Sequence, residues 1–472
     1  MARSGRGGRH SASCRNYFSA ILRHVRRAVA IVACLLAGLA SAPASPALSS
    51  SPRPAQTRPL QDEARNVARW LRAVALPQGT TLAWAGTPGP SAKPIADLYS
   101  GSAGVVLFFL ELHHATGDPR DLATARAGAD WLLTQIETET QTGLYTGLAG
   151  LGFTLTETWK ATKDQKYRDG ANRVVDRLKT MARPAGDAVE WSPVSDIISG
   201  TAGVGLALLS ASRDLERADA RDLAAAAGRR LISQQIAADG GTKWAMTPAN
   251  PTRLYPNFSH GTAGVAYFLV ALHQATGERR FLEAGLSGAR YLVKTAKTDG
   301  DVCLVFHHEP EADGLDLFYL GWCHGPAGTG RLFHRLAAVT GDREWRAWFT
   351  RAANGIRQSG IPERETPGFW NNVGQCCGSA SVADFFLSYH QVTRDPSALA
   401  FARRVTDQIL AKATRDEMGT RWTHAEHRVQ PGNLAAQTGW MQGAAGIGAW
   451  LLRLDGVDRG RDVFVKFPDS PF

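Results

Sequence analysis

Residues 258–272 read FSHGTAGVAYFLVAL: an aromatic lead-in, a turn from Gly261 to Gly264, then an apolar run to Leu272. The same phrase occurs at six other places. They are SGSAG (Gly101, Gly104), TGLAG (Gly147, Gly150), SGTAG (Gly200, Gly203), HGPAG (Gly325, Gly328), CGSAS (Gly378, then Ser381) and QGAAG (Gly443, Gly446). Successive first glycines are 46, 53, 61, 64, 53 and 65 residues apart. A period this long gives each repeat one supersecondary unit, stacked so that neighbours bury a shared core.

Two kinds of helix flank each turn. GVVLFFLEL (104–112), GVGLALLSA (203–211) and GVAYFLVAL (264–272) are apolar nearly all round, which predicts helices buried on most sides. Several end in one stop, HHATGD (113–118), HQATGE (273–278), AAVTGD (337–342) or the degenerate HQVTRD (390–395), with Gly as a left-handed C-cap. Between turns lie seven windows such as ARNVARWLRAVA (64–75), GLSGARYLVKTA (285–296) and RAANGIRQSGI (351–361). Most place apolar residues at i, i+3, i+4 and i+7 with Arg or Lys opposite, as a one-sided surface helix does. The alternation predicts an all-α, (α/α)7 toroid of seven inner and seven outer helices, its glycine turns on one rim. An open solenoid is the alternative. Lead-ins such as Trp191-Ser-Pro-Val, Tyr255-Pro-Asn-Phe and Phe369-Trp370-Asn-Asn read as short strands or loops at that rim.

The repeat occupies residues 61–472 as one domain. Residues 1–44 hold seven arginines and no acid; subtracting seven from the formal charge of +10 leaves +3, which argues against a nucleic-acid partner. After this basic start, the apolar stretch AVAIVACLLAGLASA (28–42) and small residues around Ala42 or Ala44 read as an export signal. About 15 residues is short of the roughly 20 that a membrane span needs. Export to the periplasm or exterior is therefore expected; the alternatives are a cytoplasmic protein or one anchored to a membrane through an uncleaved leader. Residues 45–60 read as a flexible linker.

Cysteine usage adds chemistry to the architecture. Of six cysteines, Cys14 and Cys34 fall in the leader, leaving Cys303, Cys323, Cys376 and Cys377. Cys323 in GWCHGPAG and the Cys376–Cys377 pair in NVGQCCGSAS touch the turns of consecutive repeats. In a closed ring such positions are spatial neighbours. Soft thiolates favour zinc, and three protein ligands with one open position form the catalytic arrangement. Buried core cysteines or disulfides of an exported protein are the competing readings.

GWCHGPAG, followed 53 residues later by CCGSAS and preceded by FSHGTAG and SDIISGTAG, resembles the lanthionine synthetase C-like family from about residue 60 onward. The resemblance implies an (α/α)7 toroid with central zinc. By motif match its ligands are Cys323, Cys376 and Cys377, the last where the family usually has His. The implied reaction is thiolate addition to dehydroalanine or dehydrobutyrine, with protonation of the resulting enolate. His260 matches the family's proton donor, His324 is a second candidate, and Asp196 matches an acid that orients the site. A dehydrated peptide or a glutathione-type thiol meeting a dehydrated protein would be the substrate, and a separate dehydratase a partner. A non-catalytic, zinc-containing peptide-binding toroid is the rival. A carbohydrate-active toroid would need paired carboxylates, where the rim motifs offer only Asp196.

Two further clusters stand apart. His307-His308-Glu309 reads as a solvated loop or a surface metal site. His424 and His427, before the seventh turn, are candidates for facing the cavity.

Overall fold

The computed structural model describes residues 59–310 and 312–472; the leader and most of the linker lie outside them. Helix α1 (Leu60–Ala73) is an outer helix. Inner and outer helices then alternate: α2 (Ser102–Thr116) with α3 (Pro119–Gln135), α4 (Leu148–Thr162) with α5 (Gln165–Met181), α6 (Thr201–Asp214) with α7 (Ala218–Ser233). Next come α8 (Thr262–Thr276) with α9 (Arg279–Thr295), the one-turn α10 (Ala312–Leu315), α11 (Pro326–Thr340) with α12 (Arg343–Gln358), and α13 (Ser379–Thr393) with α14 (Pro396–Ala411). The seventh inner helix, α15 (Ala444–Arg459), packs on α1 and on α2 and so closes the circle. The architecture is the (α/α)7 toroid, not the open solenoid.

Inner helices are buried along most of their length, α2 from Ser102 to Leu112 and α8 from Thr262 to Leu272 without a break. Each fully buried Phe or Leu there contributes about 1.5–3 kcal/mol. Their glycine turns are sterically required: a Cβ on Gly261 would sit 1.5 Å from the Tyr255 carbonyl oxygen, and one on Gly203 would sit 1.9 Å from that of Ile197.

The outer helices begin four to eight residues before the amphipathic windows, and where a stop motif precedes the helix that motif also starts it. Gly117 ends α2 at φ 69°, Thr116 Oγ1 accepts from the Asp118 N–H (3.1 Å), and Asp118 Oδ1 accepts from the Arg120 N–H (2.9 Å) as N-cap of α3. Asp164, Asp342 and Asp395 repeat this cap.

The described residues also form five antiparallel two-stranded sheets. Four are β1 (Leu76–Gln78) with β2 (Thr81–Ala83), β3 (Arg183–Ala185) with β4 (Ala188–Glu190), β5 (Ile236–Ala238) with β6 (Gly241–Lys243), and β7 (Thr414–Asp416) with β8 (Gly419–Arg421). After each, a tryptophan (Trp84, Trp191, Trp244, Trp422) donates its indole N–H at 2.7 Å to a carbonyl at the end of the preceding outer helix. At Leu71 and Leu178 this satisfies a carbonyl left over by the helix end, while the Leu231 and Ile409 carbonyls also accept a main-chain N–H from Gln234 and Lys412. The fifth hairpin, β9 (Thr423–Ala425) with β10 (Leu434–Ala436), lies in the last lead-in.

At the rim the seven turns join in a closed belt of backbone hydrogen bonds. Tyr99 N–H donates to Tyr145, Tyr145 to Ile198, Ile197 to Ser259, Ser259 to Cys323, Cys323 to Cys376, Cys376 to Met441, and Met441 back to Tyr99, at 2.8–3.2 Å. Six of these donors lie two residues before the first glycine of their turn, and the slip to Ile197 is the only irregularity.

Candidate metal centre

The belt places Cys323 and Cys376 at equivalent positions of neighbouring repeats. Cys377 follows one residue later, at the position held by His260 and His324 in the fourth and fifth repeats and by Gln442 in the seventh. The sulfurs converge: Cys323 Sγ is 3.1 Å from Cys377 Sγ, which is 3.5 Å from Cys376 Sγ, and all three lie within 4.8 Å of one another. None forms a disulfide. Tetrahedral zinc with bonds of about 2.3 Å spaces its sulfurs by about 3.8 Å, so the cluster fits such an ion with small outward shifts. Hydrogen bonds from Cys323 and Cys377 push the Cys376 thiol well below its ordinary range, while burial holds Cys323 above it. Gln442 Nε2 donates to Cys377 Sγ at 3.8 Å and to the Tyr99 hydroxyl at 3.1 Å.

These sulfurs open onto a cavity of about 520 Å³, lined also by His260, His324, His307, His308, Tyr255, Tyr319, Trp370, Arg253, Arg428 and His427. His260 is 26% exposed, and its Nδ1 lies 2.5 Å from Oδ2 of the fully buried Asp196. Asp196 Oδ1 accepts from the Ser199 and Gly200 N–H groups at 2.8 and 2.9 Å, so it caps a turn and holds the imidazole at once. Asp97 caps the first turn in the same way, but the next repeat offers Thr146 where His260 stands, and no imidazole meets it. Burial works against a charge on His260, yet the hydrogen bond and charge of Asp196 raise its pKa above the ordinary value.

The other imidazoles contrast with it. His324 is buried, and burial holds it well below the ordinary range, its Nδ1 without a hydrogen-bond partner. Its ring lies 5.5 Å from that of His260 and 4.4 Å from that of His307. Burial and neighbouring positive groups push His307 down to about 3. Among His260, His324 and His307, only His260 is held toward its charged form.

Two expectations need correction. His307 and His308 are not a solvated loop: the segment before α10 folds over the cavity, His307 stacks on Tyr319 at 4.3 Å, and the two Nδ1 atoms are 2.7 Å apart. Glu309 turns away to Lys243 at 2.5 Å and Tyr291 at 3.2 Å. The pair His424 and His427 splits. His427 lines the cavity, whereas His424 is wholly buried, accepting from the Val373 N–H and donating to the Gln442 carbonyl, both at 2.7 Å. Repeat alignment was the signal that could have placed Gln442; His307 and His308 sit in an inserted lead-in with no counterpart elsewhere.

Fold and site together define a helical toroid with a three-cysteine cluster at its centre. Residues 95–465 match the family described as lanthionine synthetase C-like protein, and the chain belongs to that family. A relative, "Glutathione S-transferase LANCL1" of Danio rerio, is 22% identical over 306 residues, covering 64% of this chain and 71% of its own. Among solved structures, nisin cyclase shares the fold at 14% identity and TM-score 0.59, covering 87% of this chain and 96% of its own. A glycoside hydrolase family 76 mannosidase of Bacteroides thetaiotaomicron does so at 12% identity and TM-score 0.50, covering 85% and 99%.

Proposed function

We propose that the protein is a zinc-dependent, lanthionine-cyclase-like enzyme that adds a thiol across the double bond of a dehydroamino acid. The reading rests on three convergent sulfurs opening onto the same cavity as an aspartate-paired histidine. Cys323, Cys376 and Cys377 would hold the ion, which when bound supplies the positive charge that keeps a substrate thiol deprotonated. The substrate sulfur then bonds to the β-carbon and the π pair moves to the α-carbon and its carbonyl. His260, held protonated by Asp196, gives its Nε2 proton to the α-carbon. The proton released by the thiol restores the imidazolium, so the net change is addition of R–S and H across C=C. His324 and His307, both neutral, shape the wall as hydrogen-bonding groups.

Supporting substrates are a peptide bearing both Cys and dehydroalanine, or a glutathione-type thiol with a dehydrated protein, the second in keeping with the relative's name. Sugar cleavage by paired carboxylates is disfavoured, because among the described residues lining the cavity Glu426 is the one acid. Export and the leader boundary stay part of this proposal.

The test incubates zinc-loaded protein with a Cys-and-dehydroalanine peptide, and separately with glutathione and a dehydroalanine peptide, following free thiol and product mass. Thioether formation above the uncatalysed rate, lost by about 10²–10⁴-fold in His260→Ala, is expected. No acceleration with either thiol would leave the non-catalytic peptide-binding toroid.

A further inference from the structure

Residues 461–472 turn back from α15 into the middle of the ring. Phe464 and Val465 N–H groups donate to Glu111 of α2, and Phe467 packs against Tyr145 and Trp440 directly beneath the belt, at 6.2 and 4.9 Å. This brings Asp469 under Trp322, the residue before Cys323. Its Oδ2 accepts the Trp322 indole N–H at 3.0 Å and faces Arg331 Nη1 at 3.4 Å. Both Asp469 and Trp322 are buried.

Trp322 is held at other points as well. Its backbone N–H donates to Ser381 Oγ at 3.2 Å, and Ser381 belongs to the helix that follows Cys376 and Cys377. Gly328 gives its carbonyl close passage, since a Cβ there would be 1.9 Å away. Among the described residues, Asp469 alone hydrogen-bonds the indole N–H. Packing needs no carboxylate here; an apolar residue would fill the space without the cost of desolvating a charge, which a directional, charge-assisted bond offsets.

We propose that Asp469 is a positioning residue for the thiolate cluster, setting the orientation of Trp322 and through it the placement of Cys323. The inference rests on the cluster being a metal site, and its test separates the two. Full-length protein is titrated with cobalt(II), whose thiolate charge-transfer bands report sulfur number and geometry, and affinity is read by chelator competition. Groups that orient metal ligands typically change affinity by 10–100-fold. Asp469→Ala should weaken cobalt binding about tenfold and alter the bands, while Asp469→Asn, whose amide oxygen still accepts from the indole, should stay near wild type. Trp322→Phe should match Asp469→Ala, and the double variant should be no worse than either alone.

Folded Asp469→Ala or Trp322→Phe protein with wild-type bands and affinity would overturn the proposal. So would Asp469→Asn as damaged as Asp469→Ala, which would assign the effect to the charge facing Arg331. Should Asp469→Ala fail to fold, Trp322→Phe and Asp469→Asn decide by the same criteria. If wild type binds no cobalt, the metal reading falls and alkylation of Cys323 becomes the readout. Several-fold faster labelling in Trp322→Phe, with Cys303 unchanged, would then support positioning, and equal rates would overturn it.

Discussion

The Cys323 N–H donates to the Cys376 carbonyl at 3.0 Å, one link in the belt that joins all seven turns. Two cysteines 53 residues apart thereby occupy equivalent points on neighbouring repeats. Closure of the ring, rather than any local loop, sets the spacing of the sulfurs. That circuit of main-chain bonds does not run through the sulfurs themselves, so substituting a cysteine leaves it in place.

Each sulfur should therefore be separately removable without loss of the fold. Cys323→Ala, Cys376→Ala and Cys377→Ala should each weaken zinc binding by about a hundredfold, close to 3 kcal/mol, as read by metal analysis and chelator competition. Cys303→Ala should change nothing, since that thiol is buried away from the cluster. Cys377→His should retain zinc, because the same ring position already carries imidazoles in His260 and His324.

The toroid was legible because its signals are periodic: glycine turns, apolar inner runs and basic-faced outer windows each recur along the chain. Cys323, Cys376 and Cys377 were legible because they stand beside those glycines, and His260 and Asp196 through the resemblance of FSHGTAG and SDIISGTAG to the family's motifs. What escaped was aperiodic. His307 and His308 lie in one lead-in whose path depends on contacts with Tyr255 and Tyr319, and nothing in their spacing encodes that path. Asp469 escaped for the same reason, since its partner Trp322 is 147 residues away and belongs to no shared motif. The helix starts were missed because a Thr-Gly-Asp stop also carries the next N-cap.

Stability at the turns should depend on glycine for two different reasons. Gly261→Ala drives a Cβ into the Tyr255 carbonyl, a backbone atom that cannot step aside, and should cost about 3 kcal/mol or more in denaturant unfolding. Gly277→Ala meets open space but sits at φ 75°, so its cost should be about 1 kcal/mol.

The degenerate fourth stop offers the converse. Arg394 ends α13 at φ 63°, where Gly117, Gly277 and Gly341 stand in other repeats. Arg394→Gly should stabilise the protein by about 0.5–1 kcal/mol, the relief of left-handed strain less the entropy of a freer unfolded chain. An unchanged or lower unfolding midpoint would show that Arg394 makes a contact worth more than its strain.

The pH profile should identify His260 as the acid. Its folded pKa is raised above 6.5 by Asp196, so the pair's stabilisation is complete below the unfolded value and is lost as pH rises through the folded one. Thioether formation should fall along the same alkaline limb, as the imidazolium is depleted. Asp196→Asn keeps an amide oxygen for the Ser199 and Gly200 N–H groups but gives up the charge; burial then dominates and the limb should move to lower pH. A kcat profile over about pH 5 to 9, run beside urea unfolding at both ends, reads rate and stability together. The wild-type advantage over Asp196→Asn should be larger at the acid end. His324→Gln and His307→Gln should leave the limb in place, because both imidazoles are already neutral there. A limb that follows His324 instead would transfer the proton-donor role to the residue beside Cys323.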